Sequence, residues 1–343
     1  MSKTKYTYGT ALREGFRHLL ANHQDVYTIG QGLWSPWYVG SSMKDLDKEF
    51  GKDRVIDTPV SEAATTGLAA GSSLCGHRPI VIHPRMDFMV LAADPMVNQA
   101  AKWSHMLGGQ AHPAVTIRGI VNRGGQQGAQ HSQALHSWYA HIPGLRVVMP
   151  ATVADARDLL IASALCDDPV LFIDDRWLYE QEEELPESKD VSLADIKPQV
   201  LRAGTDITLV GASHATLLNL QAAKALEAFG INAEVIDLRV INPLEYTEII
   251  ESVSKTGRLL VVDGSWETCG LGGEIMAGVT ERVPLNKFRA NPARMSLPHA
   301  PAPTSGPLED IYYIQPDDIV SRVQNMMKGN PVKKGFSSFE LGL

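Results

Sequence analysis

The sequence predicts an α/β protein made of two doubly wound units. Three observations lead there. Short β-branched runs alternate with longer amphipathic stretches, as in mostly parallel sheets joined by crossover helices. The alternation is interrupted once, by an acidic, proline-broken stretch after Trp177, and then resumes. At ~100–200 residues per domain, the 343 residues suffice for two.

In the first unit, strands are predicted over Val26–Ile29, Pro79–His83, Ala114–Gly119, Arg146–Met149 and Pro169–Ile173. The amphipathic stretches between them predict helices over Thr10–Asn22, Ser61–Leu74, Met89–Met106 and Val153–Cys166. Thr152-Val-Ala-Asp155 has the form of a capping box, with Asp in place of the usual Glu, at the start of the last of these. The run Glu180–Asp190 reads as a solvated boundary. The second unit starts near Thr205 with strand Ile207–Gly211, helix Thr216–Phe229, strand Asn232–Asp237, helix Pro243–Ser254 and strand Arg258–Asp263, a complete βαβαβ. The expected division is therefore a domain over 1–185, a linker over 186–204, a domain over 205–328 and a tail over 329–343, loosely held or docked on a partner.

Composition excludes several functions. Lys and Arg total 31 against 39 Asp and Glu, a formal net charge of -8, with no basic run beyond Lys333-Lys334; this argues against a nucleic-acid or anionic-membrane surface. No apolar run approaches the roughly 18–20 residues of a membrane span, and no apolar stretch follows the first lysines, so a cytoplasmic protein is expected. Cys75, Cys166 and Cys269 stand far apart and read as small buried hydrophobes.

No complete nucleotide-binding signature occurs. Gly270-Leu-Gly-Gly-Glu274 lacks the G-x-G-x-x-G spacing and reads as the packed entry to a helix. Asp167-Asp168 suits a turn before Pro169, and Asp174-Asp175 reads as a surface turn ending a strand. His131, His136 and His141 are five apart, a poor zinc pattern because i and i+5 do not share a helix face. Three places are informative. Glu62 enters a helix of small residues with almost no other charge, either as an N-terminal dipole partner or as a functional acid. His83-Pro-Arg-Met-Asp-Phe88 lies at the carboxyl end of a predicted strand, where α/β proteins place ligands. Gly124-Gly-Gln-Gln-Gly-Ala-Gln-His131-Ser-Gln133 is a polar, glycine-rich loop ending on a histidine.

Together with Asn98-Gln-Ala-Ala-Lys102, Pro143-Gly-Leu-Arg-Val-Val148, Val235-Ile-Asp-Leu-Arg239 and Thr256-Gly-Arg-Leu-Leu-Val261, these segments stand in an order that resembles the β subunit of thiamine-diphosphate-dependent 2-oxoacid dehydrogenase E1, within the transketolase-like superfamily, from about Tyr8 to Met327. The resemblance implies a pyrimidine-binding domain followed by a transketolase C-terminal-like domain. It assigns Glu62 to the pyrimidine N1′, where a carboxyl of raised pKa supports the tautomer that activates the cofactor. Phe88 matches the aromatic stacked on the pyrimidine, Leu91 stands three positions further on, where the family has a polar residue, and is expected at the cofactor, and His131 matches the histidine that contacts substrate or the tetrahedral intermediate. The Gly-Asp-Gly motif with its downstream Asn, which anchors the diphosphate through Mg²⁺, is absent. The resemblance therefore implies an α-like E1 partner that holds Mg²⁺, an α2β2 assembly and, in full complexes, a lipoyl acyltransferase core.

Two departures concern the substrate. The usual pair of acids after the glycine near the first strand is replaced by Gly30-Gln31-Gly32, and His83-Pro84-Arg85 replaces an expected Glu-Phe-Met. A guanidinium gained for a carboxylate suits a polar, anionic or hydroxylated substrate, so Arg85 and Gln31 are expected at the substrate. Three readings result: an E1 β subunit that decarboxylates a 2-oxoacid and passes the acyl group to lipoamide; a split transketolase-like synthase with an aldehyde or keto-sugar acceptor; and a non-catalytic subunit, disfavoured because Glu62, Phe88 and His131 are all present.

Overall fold

The computed structural model describes residues 4–328. The expected tail, 329–343, lies outside the described residues. The described residues divide into two compact units, the first from residues 4–123, 138–196 and 240–243, the second from 124–137, 197–239 and 244–328.

The first unit is a seven-stranded sheet ordered Val240–Asn242, Arg146–Val148, Val170–Asp175, Thr116–Val121, Arg78–His83, Val26–Gln31, Val55–Thr58. All pairs are parallel except the edge strand Val240–Asn242, which runs antiparallel to Arg146–Val148. Strands Thr116–Val121 and Val170–Asp175 are buried along their whole length, and Arg78–His83 from Pro79 on, as parallel strands covered on both faces must be. Helix Tyr8–Asn22 packs on helix Val153–Ala164. A Cβ at Gly15 would stand 3.2 Å from the Arg157 carbonyl oxygen, so glycine sets how closely the two helices approach. The Thr152 side chain accepts a hydrogen bond from Asp155 N at 3.1 Å, capping the second helix as its sequence predicts. Strand Glu182–Leu185, in the acidic stretch, pairs antiparallel with Thr4–Thr7 and buries Leu185 while its glutamates face solvent.

The second unit carries a five-stranded sheet ordered Ala293–Leu297, Leu259–Trp266, Ile207–Gly211, Ala233–Asp237, Gln199–Arg202, with only the last strand antiparallel. Its central strand shows why helices cover both faces. Ile207 and Leu209 join a core with Leu218, Ala222, Leu226 and Val323 from helices His214–Leu226 and Pro316–Met327. Between them Thr208 points the other way, its hydroxyl 2.6 Å from Ser252 Oγ and 2.8 Å from Thr256 Oγ1 on helix Thr247–Thr256.

Four local expectations are corrected. Met89–Met106 is not one helix: Met86–Ala92 is 3₁₀, Asp94–Ala100 is π-helical and only Ala101–Met106 is α, because Pro95 lacks the N–H a continuous ladder needs. The helix expected from Pro243 starts at Thr247, where Glu245 accepts from Tyr246 N, Thr247 N and Thr247 Oγ1. Cys75 and Cys269 are exposed, since they sit in the turns flanking helices Glu62–Ser73 and Leu271–Arg282, and only Cys166 is partly buried. Asp174 and Asp175 are fully buried, because cations on the neighbouring strand pair with them. Arg118 donates to both oxygens of Asp174 at 2.9 and 2.8 Å, to Ser42 Oγ and to Tyr179 Oη. Arg123 Nε donates to Asp175 Oδ2 at 3.0 Å.

Candidate functional site

Parallel sheets bind ligands beyond the carboxyl ends of their strands, where the winding reverses. In the first unit this point lies between Val26–Gln31 and Arg78–His83: the chain goes from Val26–Gln31 outward to Val55–Thr58, then crosses back to Arg78–His83. Gln31 ends one strand, Glu62 follows the next by four residues, and His83 ends the third, leading into Arg85 and Phe88.

Two residues that precede Glu62 in the chain support this edge of the sheet. Asp57 Oδ1 accepts from Gly32 N at 2.6 Å and Leu33 N at 3.2 Å, fixing the turn beyond Gln31. Arg54 donates to the carbonyls of Val26, His23 and Leu20, tying strand Val55–Thr58 to the end of the first helix. Gln31 Nε2 in turn donates to Tyr38 Oη at 3.3 Å.

Glu62 is the first residue of helix Glu62–Ser73 and is partly buried. There the unpaired N–H groups and the helix dipole favour a carboxylate. This helix packs on the Met86–Ala92 turn that carries Phe88 and Leu91. Beside it runs a groove of about 370 Å³ lined by Ala63, Gly67, Leu91 and Trp103, with Asp94 and Gln99 as its polar groups. Phe88 is 38% exposed, Leu91 63%, Leu68 59% and Val60 65%, so an apolar surface surrounds the carboxylate. Arg85 is partly buried, and its guanidinium faces the Asn122 side-chain amide, whose oxygen accepts at 3.2 Å when the amide is turned toward it. Asn122 follows strand Thr116–Val121 directly and carried no sequence signal of a site role.

His83 is buried below this surface, with Nε2 3.1 Å from Thr66 Oγ1 on the helix that Glu62 begins. Burial pushes its imidazole down to about 4. The unfolded chain takes up this proton near pH 6.5, whereas the folded protein does not until about 4. The stability His83 contributes is therefore complete above pH 6.5 and is lost as pH falls toward 4, on the order of 3 kcal/mol. Urea unfolding at pH 7.5 and pH 5.0 should show a smaller loss of stability on acidification in His83→Gln than in the unmodified protein; equal losses would remove His83 as the source.

His131 lies in the segment 124–137, which packs within the second unit. The segment turns on left-handed residues, with φ of 75° at Gly124, 66° at Gly125 and 61° at Gln126. Gln126 N donates to both carboxylate oxygens of buried Glu309, at 3.0 and 2.9 Å. His136 Nε2 lies 2.8 Å from Asp263 Oδ1, both side chains buried, and Ser265 Oγ donates to the Ala134 carbonyl at 2.8 Å. His136 and backbone N–H groups of Ser265 and Gly272 hold the Asp263 carboxyl below its usual range, outweighing burial, which acts in the opposite sense. Of the expected site residues, the structure thus gathers Gln31, Glu62, Arg85, Phe88 and Leu91 at one end of the first sheet, and sets His131 on a loop anchored to second-unit residues.

A carboxylate, an exposed aromatic and a groove near the switch point of a doubly wound sheet are the features of a ligand-binding α/β unit, here followed by a second α/β unit. The comparisons with known proteins carry this further. Residues 4–181 match the transketolase pyrimidine-binding domain and residues 197–319 the transketolase C-terminal domain. The chain is 39% identical over 277 residues to the β subunit of acetoin:2,6-dichlorophenolindophenol oxidoreductase of Cupriavidus necator, covering 81% of each chain. It is 36% identical to the mitochondrial pyruvate dehydrogenase E1 component subunit beta of Saccharomyces cerevisiae, covering 95% of this chain and 90% of that one. A solved structure described as a split-gene transketolase, an inactive beta4 tetramer, shares the fold, with a TM-score of 0.77 at 21% identity over 95% of this chain and 99% of that one. The chain belongs to the E1 β-subunit family of the transketolase superfamily. Among the described residues no helix is long and apolar enough to cross a membrane.

Proposed function

We propose that this chain is the β-type subunit of a cytoplasmic, heteromeric 2-oxoacid dehydrogenase E1 that uses thiamine diphosphate, decarboxylates a 2-oxoacid and passes the acyl group to lipoamide on an acyltransferase core. The observation that carries the reading is Glu62 at the start of an otherwise uncharged helix, beside exposed Phe88 and Leu91, at the switch point of the first sheet. These residues fit one half of the cofactor: a carboxylate for a ring nitrogen, a ring face for stacking and an apolar wall. They do not fit the other half, since among the described residues the one group of three His, Cys, Asp or Glu close enough to share a metal ion is His18, His23 and Asp190, whose two imidazoles do not suit Mg²⁺. The reading therefore gives the diphosphate and Mg²⁺ to an α-like partner in an α2β2 assembly. The exposed Val60, Leu68, Phe88 and Leu91 support this, being an apolar patch of the kind that marks an interface.

Bound there, thiamine diphosphate supplies the electron sink that decarboxylation needs. Glu62 would hydrogen-bond the pyrimidine nitrogen and hold a proton there. Phe88 orients the ring, Leu91 excludes water from one side, and His131 is assigned to proton transfer at the substrate. Arg85 and Gln31 offer donors to a polar or anionic substrate. The Arg85 guanidinium at this edge is also the observation that favours the second reading, transfer to an aldehyde or keto-sugar.

The test is calorimetry with thiamine diphosphate and Mg²⁺, on this chain alone and on the chain co-purified with its α-like partner. Binding is expected only in the complex, accompanied by lipoamide-dependent turnover of a 2-oxoacid. Tight binding by the single chain would overturn the shared site, and carboligation without lipoamide activity would favour the synthase.

A further inference from the structure

We propose that His18, His23 and Asp190 form a site for a zinc-class divalent cation, distinct from the surface around Glu62. Both imidazoles converge on one carboxylate oxygen: His18 Nε2 stands 2.8 Å and His23 Nε2 3.1 Å from Asp190 Oδ1. The three donor atoms lie within 4.8 Å of one another, and no other group of three His, Cys, Asp or Glu among the described residues does so.

The chain holds this geometry from several sides. His18 lies on helix Tyr8–Asn22, and His23 is the C-cap of that helix, its N–H donating to the Leu19 carbonyl at 2.9 Å. Arg54 donates to the His23 carbonyl at 2.8 Å, so the main chain of this ligand is fixed on both sides. The imidazoles are shielded, at 13% and 22% exposure, whereas Asp190 at 58% leaves one face open to water.

Two imidazole nitrogens and a carboxylate oxygen suit borderline ions such as Zn²⁺, with water in the fourth position, and do not suit Mg²⁺ or Ca²⁺, which require oxygen donors. Tetrahedral zinc spaces its donors by about 3.3 Å, so each imidazole need move only a few tenths of an ångström from the Asp190 oxygen it now faces. A neighbouring cleft of about 290 Å³, lined by His18, Asn22, Glu14, Arg17 and Glu187, brings two further carboxylates and one guanidinium near the site. The bound ion would clamp the segment after Leu185 to the first helix, and because it binds the folded chain it would raise thermal stability.

Calorimetric titration of the metal-stripped, tag-free full chain with ZnCl₂ at pH 7.5 should show one site. X-ray absorption of the bound zinc should show two imidazole nitrogens among its ligands. Asp190→Asn and His23→Gln should each weaken binding by more than the roughly 10–100-fold that loss of an outer-shell partner costs, and should abolish the rise in melting temperature with zinc. Asp190 is exposed, so its variant tests the site without disturbing the fold, as circular dichroism would show. No zinc binding by the unmodified chain, or unmodified affinity in Asp190→Asn and in the His18→Gln/His23→Gln double variant, would overturn the site.

Discussion

Glu62→Gln in the assembled enzyme should lower turnover by about 10²–10⁴-fold, the range spanned by general acid–base contributions, with the melting temperature unchanged within a degree or two. The variant keeps the volume and hydrogen-bonding reach of the side chain but cannot give up or share a proton at a ring nitrogen. Glu62 begins its helix, where a neutral amide costs at most the few tenths to 1 kcal/mol of lost dipole interaction. Activity and stability should therefore separate: steady-state turnover and a thermal melt on the same preparation test both halves. Near-normal turnover would assign Glu62 to the helix dipole alone. A large fall in melting temperature would make it a structural residue.

The largest effect on stability is expected at Asp174. The Arg118 guanidinium is fully buried, and four polar contacts hold it: both oxygens of Asp174, Ser42 Oγ and Tyr179 Oη. Burial and the neighbouring Asp174 carboxylate raise the Tyr179 hydroxyl far above its ordinary range, so it stays protonated and also donates to Asp174. Asp174→Asn removes the only charge that compensates this guanidinium while changing volume little. Breaking one side of such a pair costs about 3–5 kcal/mol; chemical denaturation of the isolated chain should show a loss of that size. Replacing both partners, with Arg118→Met and Asp174→Leu, should recover much of it, because neither member of the pair is then left charged without its partner. A double variant as unstable as Asp174→Asn would mean that the contacts to Ser42 and Tyr179, rather than the charge pair, hold this layer together.

The two aspartates show where sequence reading stops. Asp174-Asp175 at the end of a strand has the composition of an exposed turn. What buries it is a cation layer on strand Thr116–Val121 and just beyond it, 52 to 56 residues away, and no local window contains both partners. Segment 124–137 makes the same point over a longer range. Its glycines announce a loop, but its anchors are Asp263 and Glu309, 127 and 183 residues further on. Met89–Met106 differs in kind: its apolar content suited a helix, and the break at Pro95 was visible in the sequence but outweighed there by periodicity.

Short-range patterning carried most strands and helices of both units, because period 2 and period 3.6 are properties of neighbouring residues, but it missed the sheet strands Val55–Thr58, Gln199–Arg202, Val240–Asn242 and Ala293–Leu297. It also exposed Glu62 and the run His83–Phe88 as candidates, since a lone charge in an apolar helix entry and a polar run after a strand are local contrasts, whereas Leu91 and the role of Phe88 came only from the family resemblance. Burial of ion pairs, the winding reversal that brings Gln31 and His83 to adjacent strand ends, and the convergence of His18 and His23 on Asp190 depend on contacts between distant segments. Such contacts form only when the whole chain packs, because the cost of desolvating and ordering those groups is met by a core that no single segment can build.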